Sequence, residues 1–259
     1  MTKIDFLCII ALIPWLNQKE VLRDMKFNTL IAPTIRQMFV DQITHMILAG
    51  DLKAGDALPT ERELAEKMQI SKSAAHIGLS DLQRMGFVHI KPRHKTTVAD
   101  YWASGTLETL DTILRYNGGR LNKAHTRSIL ECRMALEGIA IDRVAQNRTE
   151  DDLARLNAVV SDLQTAARQR PTADANRIAE LMFQFQHLIS ILSRNSIFPL
   201  VMNAFRTFHL AFWKTEADQL GADHCLQYAK TLLDSVVRRD SAAAKLQMQQ
   251  EFETYLASI

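Results

Sequence analysis

Apolar residues recur at helical spacing from Thr34 to about Gly50, where Ile35, Phe39, Ile43, Met46 and Ile47 share one face and Gly50 supplies a stop. A turn-rich connector, "GDLKAGDALPT", follows. Thr60 then reads as the cap of a short second helix, with Glu63 three residues on as its capping-box partner and Leu64, Ala65 and Met68 as its buried face. Ser71 is a second capping residue. It opens a third helix filled by Ala74, Ala75, Ile77, Gly78, Leu79, Leu82 and Met85, which Gly86 ends. "FVHIK" and "TTVADY" read as two strands around a "PRHK" turn, because Phe87, Val88, Ile90 and Val98 are strand formers and Pro92 marks the bend. The order is three helices and a two-stranded wing.

From Thr106 to Ile259 nearly everything has helical periodicity, with little Gly or Pro. Six or seven helices are predicted, with breaks at "NGGR" near Gly118, "NRTEDD" with Thr149 as cap, "RQRPTAD" around Pro171, "SRNS", "LGADH" and "RRDS". Connections this short imply antiparallel neighbours in a bundle. The fold class expected is mainly α, an N-terminal winged helix-turn-helix followed by a helical bundle. Residues 1–33 form an N-terminal extension, 34–99 the winged module, 100–105 a linker and 106–259 the bundle.

Composition narrows the function. The chain has 259 residues, 47% of them apolar, and a net charge of only +2, so positive charge for a nucleic-acid partner has to be concentrated locally. Cys8, Cys132 and Cys225 are far apart and show no CxxC spacing, which points to a reducing compartment, the cytoplasm. The apolar run Phe6 to Leu16 is too short to span a bilayer, and no cleavage site follows it. It reads as an extra segment with Met25 as an alternative start, and no membrane association is expected. No Gly-rich phosphate loop and no GxSxG occurs, so an enzyme is not expected.

Ser71, Lys72 and Ser73 place hydroxyls, free backbone N–H groups and one cation at a helix start, as groove and phosphate contact requires. Arg62, His76, Arg93, His94 and Lys95 surround them with further basic or titratable groups. The pattern alone leaves two readings open: a DNA reader, or a helical hairpin with a solvated basic face.

The segment "GDLKAGDALPTERELAEKMQISKSAAHIGLSDLQRMGFVHI" resembles the winged helix-turn-helix of the GntR family of bacterial transcription regulators, with Gly50, Leu52, Gly55, Leu58, Pro59, Glu61, Arg62, Leu64, Ala65, Ser71, Leu79, Leu82 and Gly86 in register. "ADYWASGTLETLDTIL" and "ILECRMALEGIAIDRVA" are similar to the linker and first helices of its FadR-type members. The resemblance implies a homodimer on a palindromic double-stranded operator, with Arg62, Ser71, Lys72 and Ser73 contacting the DNA; His76, Arg93, His94 and Lys95 are expected beside them as a positive rim. Lys72 and His76 stand where the family often has arginine, and the wing lacks its common glycine, so guanine readout by a guanidinium fork is weakened there.

The resemblance also implies a small-molecule effector in the bundle. Many relatives hold a metal there through an Asp-x3-His pair and two later histidines, but the matching positions here are Met182, Gln186, Ala229 and Glu251, so neither metal nor cofactor is expected. His187, His209 and His224 lie on other registers and read as structural or surface histidines. The effector site is expected in the bundle interior near Met182, Gln186 and Glu251. The resemblance to the family's metal-free fatty-acid branch implies a long-chain acyl-CoA or another carboxylate as ligand, and the pliable, Phe- and Met-rich stretch "MFQFQHLISILSRNSIFPLVMNAFRTFHLAFW" could hold an acyl chain. The alternative is a DNA-binding protein that has lost its ligand site.

Overall fold

The computed structural model describes residues 33–169 and 173–259. The N-terminal apolar run, Met25 and Pro171 lie outside the described residues. Three helices, α1 (Ile35–Ala49), α2 (Glu61–Met68) and α3 (Lys72–Arg84), precede β1 (Val88–His89) and β2 (Thr97–Val98). The capping signals act as the sequence suggests. The Thr34 side chain accepts from Gln37 N, Thr60 and Glu63 form a reciprocal capping box, and Ser71 accepts from Ala74 N. Gly50 ends α1 at φ 86°, a left-handed conformation that glycine adopts without strain.

Phe39, Ile43 and Ile47 of α1 close over Leu64, Leu79, Leu82, Phe87 and Val98 to make the core of this module. Two expected face residues lie elsewhere: Ile35 is 59% and Ile77 41% exposed. The strands are shorter than the sequence suggests and pair antiparallel, Val88 with Val98 and His89 with Thr97. The connector supplies the missing pairing. Gly55 N donates to Val98 O, Val98 N to Asp56 O and Leu58 N to Thr96 O, so residues 55–58 flank β2 as an added edge.

The linker is itself a helical turn, α4 (Tyr101–Ser104), capped by Asp100. The bundle comprises α5 (Leu107–Tyr116), α6 (Lys123–Asn147), α7 (Glu150–Ala167), α8 (Ala175–Leu192), α9 (Phe198–Ala204), α10 (Arg206–Gln219), α11 (Ala222–Val237) and α12 (Ser241–Ser258). These are eight helices among the described residues, where six or seven were expected. The added break falls at Phe205, between α9 and α10, where neither Gly nor Pro signals it. Thr149, Gly221 and Asp240 sit at helix starts as anticipated. Helix α8 runs through the centre against α6, α7, α10 and α11, burying Met182, Phe185 and Ile189.

The two parts meet where α3 ends. Thr109 Oγ1 on α5 donates to Met85 O at 2.6 Å, Arg84 pairs with Glu108, and a Cβ on Gly86 would come within 3.1 Å of Gly105 Cα.

Candidate nucleic-acid interface and effector pocket

Helix α3 presents its N-terminus to solvent. Ser71, Lys72, Ser73 and His76 are exposed, whereas Ala75, Gly78 and Leu79 anchor the opposite face in the core. The Ser71 hydroxyl caps its own helix. Beside it, Arg62 projects from α2 with 82% of its side chain exposed and bonds Glu66 one turn on, at 2.9 Å. His76 Nδ1 lies 2.7 Å from Glu61 Oε1, which ties α3 to α2. Arg93, His94 and Lys95 are all exposed at the wing tip, where Arg93 takes φ 64°, the left-handed conformation of a tight turn. All eight residues picked from the sequence are therefore on the surface, in two clusters: the α2–α3 corner and the wing. The cations of this face are exposed pairs or unpaired groups, which an incoming polyanion can recruit at little desolvation cost.

The second site is inside the bundle. Arg133, one turn before Glu137 on α6, has none of its side chain exposed, and its Nε donates to Glu137 Oε1 at 2.7 Å. Its guanidinium carbon stands 4.7 Å from the Phe252 ring centroid and 5.2 Å from that of Phe212. Gln186 is the hub. Its Oε1 accepts from Trp213 Nε1 at 2.8 Å, from His209 Nδ1 at 3.1 Å and from Arg133 Nη2 at 3.5 Å, while its amide Nε2 donates to Glu137 Oε2 at 3.4 Å. Burial, with the nearby Arg133 cation, holds His209 well below the ordinary histidine value, so its ring is neutral. Burial likewise pushes the Tyr228 phenol up. Arg133 Nη1, His209 Nε2 and Tyr228 Oη are buried without hydrogen-bond partners.

A cavity of about 20 Å³, room for a single water, opens against Glu137 and Gln186. Its apolar wall comes from Leu136, Ile141, Ile189, Val201, Met202 and Met248. Of the three residues expected near the effector, Gln186 lines this cavity and Met182 packs in the apolar core, while Glu251 turns to His224 Nε2 at 2.8 Å. The family's metal positions do not fit an ion here, because Met182 and Ala229 offer neither carboxylate nor imidazole. His209 and His224, which read as structural or surface residues, each belong to a polar cluster. Sequence reasoning did not single out Arg133 or Glu137. Their signal is an Arg and a Glu one turn apart among Ile129, Leu130, Ala140 and Ile141, a placement that is costly unless the two are paired.

A winged helix-turn-helix with an exposed recognition-helix start, joined to a helical bundle that buries a polar cluster beside a small cavity, fits a DNA-binding transcription regulator with a ligand-binding domain. Comparison with known proteins gives the family. Residues 35–98 match the model of bacterial regulatory proteins of the gntR family, and residues 128–254 match the FCD domain. The chain belongs to the GntR family of transcription regulators, in the branch that carries an FCD domain. The family models and the relatives they agree with are those of transcription regulators and not of enzymes.

It is 24% identical over 234 residues to the uncharacterized HTH-type transcriptional regulator YcbG of Bacillus subtilis, covering 90% of this chain and 94% of that protein. It is 29% identical over 225 residues to the HTH-type transcriptional regulator Mce2R of Mycobacterium tuberculosis, covering 82% and 86%. A fatty acid metabolism regulator protein of Shewanella pealeana is 25% identical over 197 residues, covering 74% and 78%. Among solved structures, Lar, which controls the expression of the Listeria monocytogenes agr system, shares the fold with a TM-score of 0.61 at 13% identity, over 88% of this chain and 97% of that one. Among the described residues no helix is long and apolar enough to cross a membrane.

Proposed function

We propose that the protein binds a palindromic operator as a homodimer in the cytoplasm, and that a small carboxylate entering the bundle at Arg133 changes its affinity for that operator. On the DNA side, Ser71, Lys72 and Ser73 meet the backbone at the start of α3, with His76 and Arg62 nearest the base edges. Arg93, His94 and Lys95 follow the adjacent phosphates from the wing. Lys72 supplies a point charge and not a fork, so its contribution is affinity and register more than guanine readout.

The observation that carries the effector reading is the buried Arg133 guanidinium, whose Nη1 has no acceptor although Nε is held by Glu137. A carboxylate oxygen completes it. A long-chain acyl-CoA, the ligand suggested by the Phe- and Met-rich stretch and by the name of the Shewanella relative, needs far more room than about 20 Å³. A small carboxylate also needs the bundle to open beyond that volume, and it is placed first because it matches the single unpaired guanidinium donor.

Fluorescence anisotropy of the labelled region upstream of the gene, at two salt concentrations, tests both halves. Binding that weakens steeply with salt, and in Lys72→Ala loses about one unit of log–log salt slope, supports the DNA face. A panel of small mono- and dicarboxylates alongside a long-chain acyl-CoA then identifies the effector class. Release by the acyl-CoA alone would overturn the small-carboxylate reading, and salt-independent binding would overturn the DNA face.

A further inference from the structure

At the end of the bundle where α10, α11 and α12 meet, a cluster outside both sites gathers three chemically matched groups. Glu216 comes from the last turn of α10, His224 from the first turn of α11 and Glu251 from the middle of α12. One ligating atom from each lies within 4.8 Å of the others. His224 Nε2 donates to Glu251 Oε1 at 2.8 Å and stands 3.5 Å from Glu216 Oε2. The Glu216 side chain is 1% and that of Glu251 9% exposed, and Glu216 Oε2 is buried with no hydrogen bond. Among the described residues neither carboxylate forms an ion pair with a lysine or arginine.

We propose that Glu216, His224 and Glu251 form a binding site for a divalent first-row transition ion, displaced from the family's metal positions and sharing only residue 251 with them. Two buried carboxylates with a single imidazole for company are an electrostatic liability. A divalent cation removes it, cancelling both charges and taking the imidazole nitrogen as its third donor. Ligands about 2.0–2.2 Å from an ion stand at most about 4.4 Å apart, so small side-chain rotations close the triad around it. Burial and the neighbouring Glu251 already push the Glu216 carboxyl up to about 7, the same crowding seen from the proton's side. A cation displaces that proton and the one His224 shares with Glu251. The 32% exposure of the His224 side chain opens the cluster to solvent, which provides both the entry path and water for the remaining positions. One imidazole with two carboxylates suits Zn²⁺ or Mn²⁺, and with no thiolate it does not favour copper(I). Bound there, the ion pins together three helix segments that otherwise meet around two crowded carboxylates and one imidazole.

The test is calorimetric titration of the full, chelator-treated chain with Zn²⁺ and, separately, Mn²⁺, with thermal unfolding read in parallel. The expected result is one ion bound per chain and a raised Tm. Glu216→Gln and His224→Ala are expected to lose at least about tenfold in affinity, while the surface control Asp234→Asn keeps it. Glu216→Gln relieves crowding between carboxylates and so is expected to fold. A cobalt(II) absorption spectrum of the unmutated chain gives a second readout, with visible bands expected for nitrogen and oxygen donors. The proposal is overturned by absence of binding, by affinity unchanged in Glu216→Gln, or by cobalt that shows only the hydrated-ion spectrum. None of these measurements involves DNA or the carboxylate, so their failure leaves the regulator reading untouched.

Discussion

Replacing Arg133 with methionine separates two roles that the guanidinium combines. The side chain is fully buried, holds Glu137 and Gln186, and packs over Phe252, Phe212 and Phe208. Methionine keeps most of the volume but leaves Glu137, only 9% exposed, as a buried carboxylate without its cation. Removing one partner of such a pair costs about 3–5 kcal/mol. For a domain of this size that corresponds to a Tm lower by roughly 6–20 °C. Arg133→Met with Glu137→Met removes the orphan charge as well, and since apolar replacement of both partners is often neutral, the double variant is expected to recover most of the loss. Urea unfolding followed by far-UV circular dichroism on the four proteins of the cycle measures the coupling. A single variant within about 1 kcal/mol of the parent, or a double variant equal to the sum of the singles, would refute the buried-pair reasoning. The double variant also bears on function: it should bind operator DNA and ignore the effector, because it retains the winged module and lacks the anion's anchor.

Further outcomes follow from other contacts. His209 is held neutral well below its ordinary 6.5, so below that pH the unfolded chain takes up a proton the folded one refuses. Its stabilising contribution is complete above about pH 6.5 and shrinks by up to about 1.4 kcal/mol per pH unit as the pH falls from there toward the folded value, with Arg133, Glu137 and His187 as the facing charged groups. Urea midpoints across that range should fall less steeply in His209→Gln than in the parent; equal slopes would contradict this. Gly78→Ala places a methyl inside the Phe39 ring where α3 crosses α1, and about 1–3 kcal/mol of destabilisation is expected in the same assay. Thr109→Val removes the bond to Met85 O and should reduce the effector's influence on DNA affinity while effector binding itself, measured by calorimetry, stays unchanged.

The winged module was legible because its signals are local. Thr34, Thr60 and Ser71 cap the helices they precede, and Gly50 and Gly86 take positive φ where the chain must turn. Periodicity was less informative about which apolar residues are buried, as the exposed Ile35 and Ile77 show. The polar hub was not legible. Arg133, Gln186, His209 and Trp213 come from three helices, and no spacing rule links residues 53 and 23 positions apart. Phe205 breaks the chain between α9 and α10 with no cap or glycine, since tertiary packing and not local propensity sets that bend.

These elements also bear on how the two sites communicate. Helix α10 carries His209 and Trp213 into the polar network around Gln186 and, two residues before His209, Thr207 Oγ1 donates to Asp111 Oδ1 on α5 at 2.9 Å. Helix α5 in turn holds the end of α3 through Thr109 and Glu108. In the proposed reading, an anion that draws Arg133 or Gln186 out of the present network acts on α10, which is bonded to α5 and through it to the end of α3. Helix α3 has 13 residues, so its C-terminal anchor and its DNA-facing start lie about 20 Å apart on one rigid rod. A small tilt imposed at Met85 is largest at Lys72, and in the proposed homodimer it would change the separation of both recognition helices at once. The Asp100 to Gly105 linker adds a second contact at the same place, since a Cβ on Gly86 would meet Gly105 Cα at 3.1 Å.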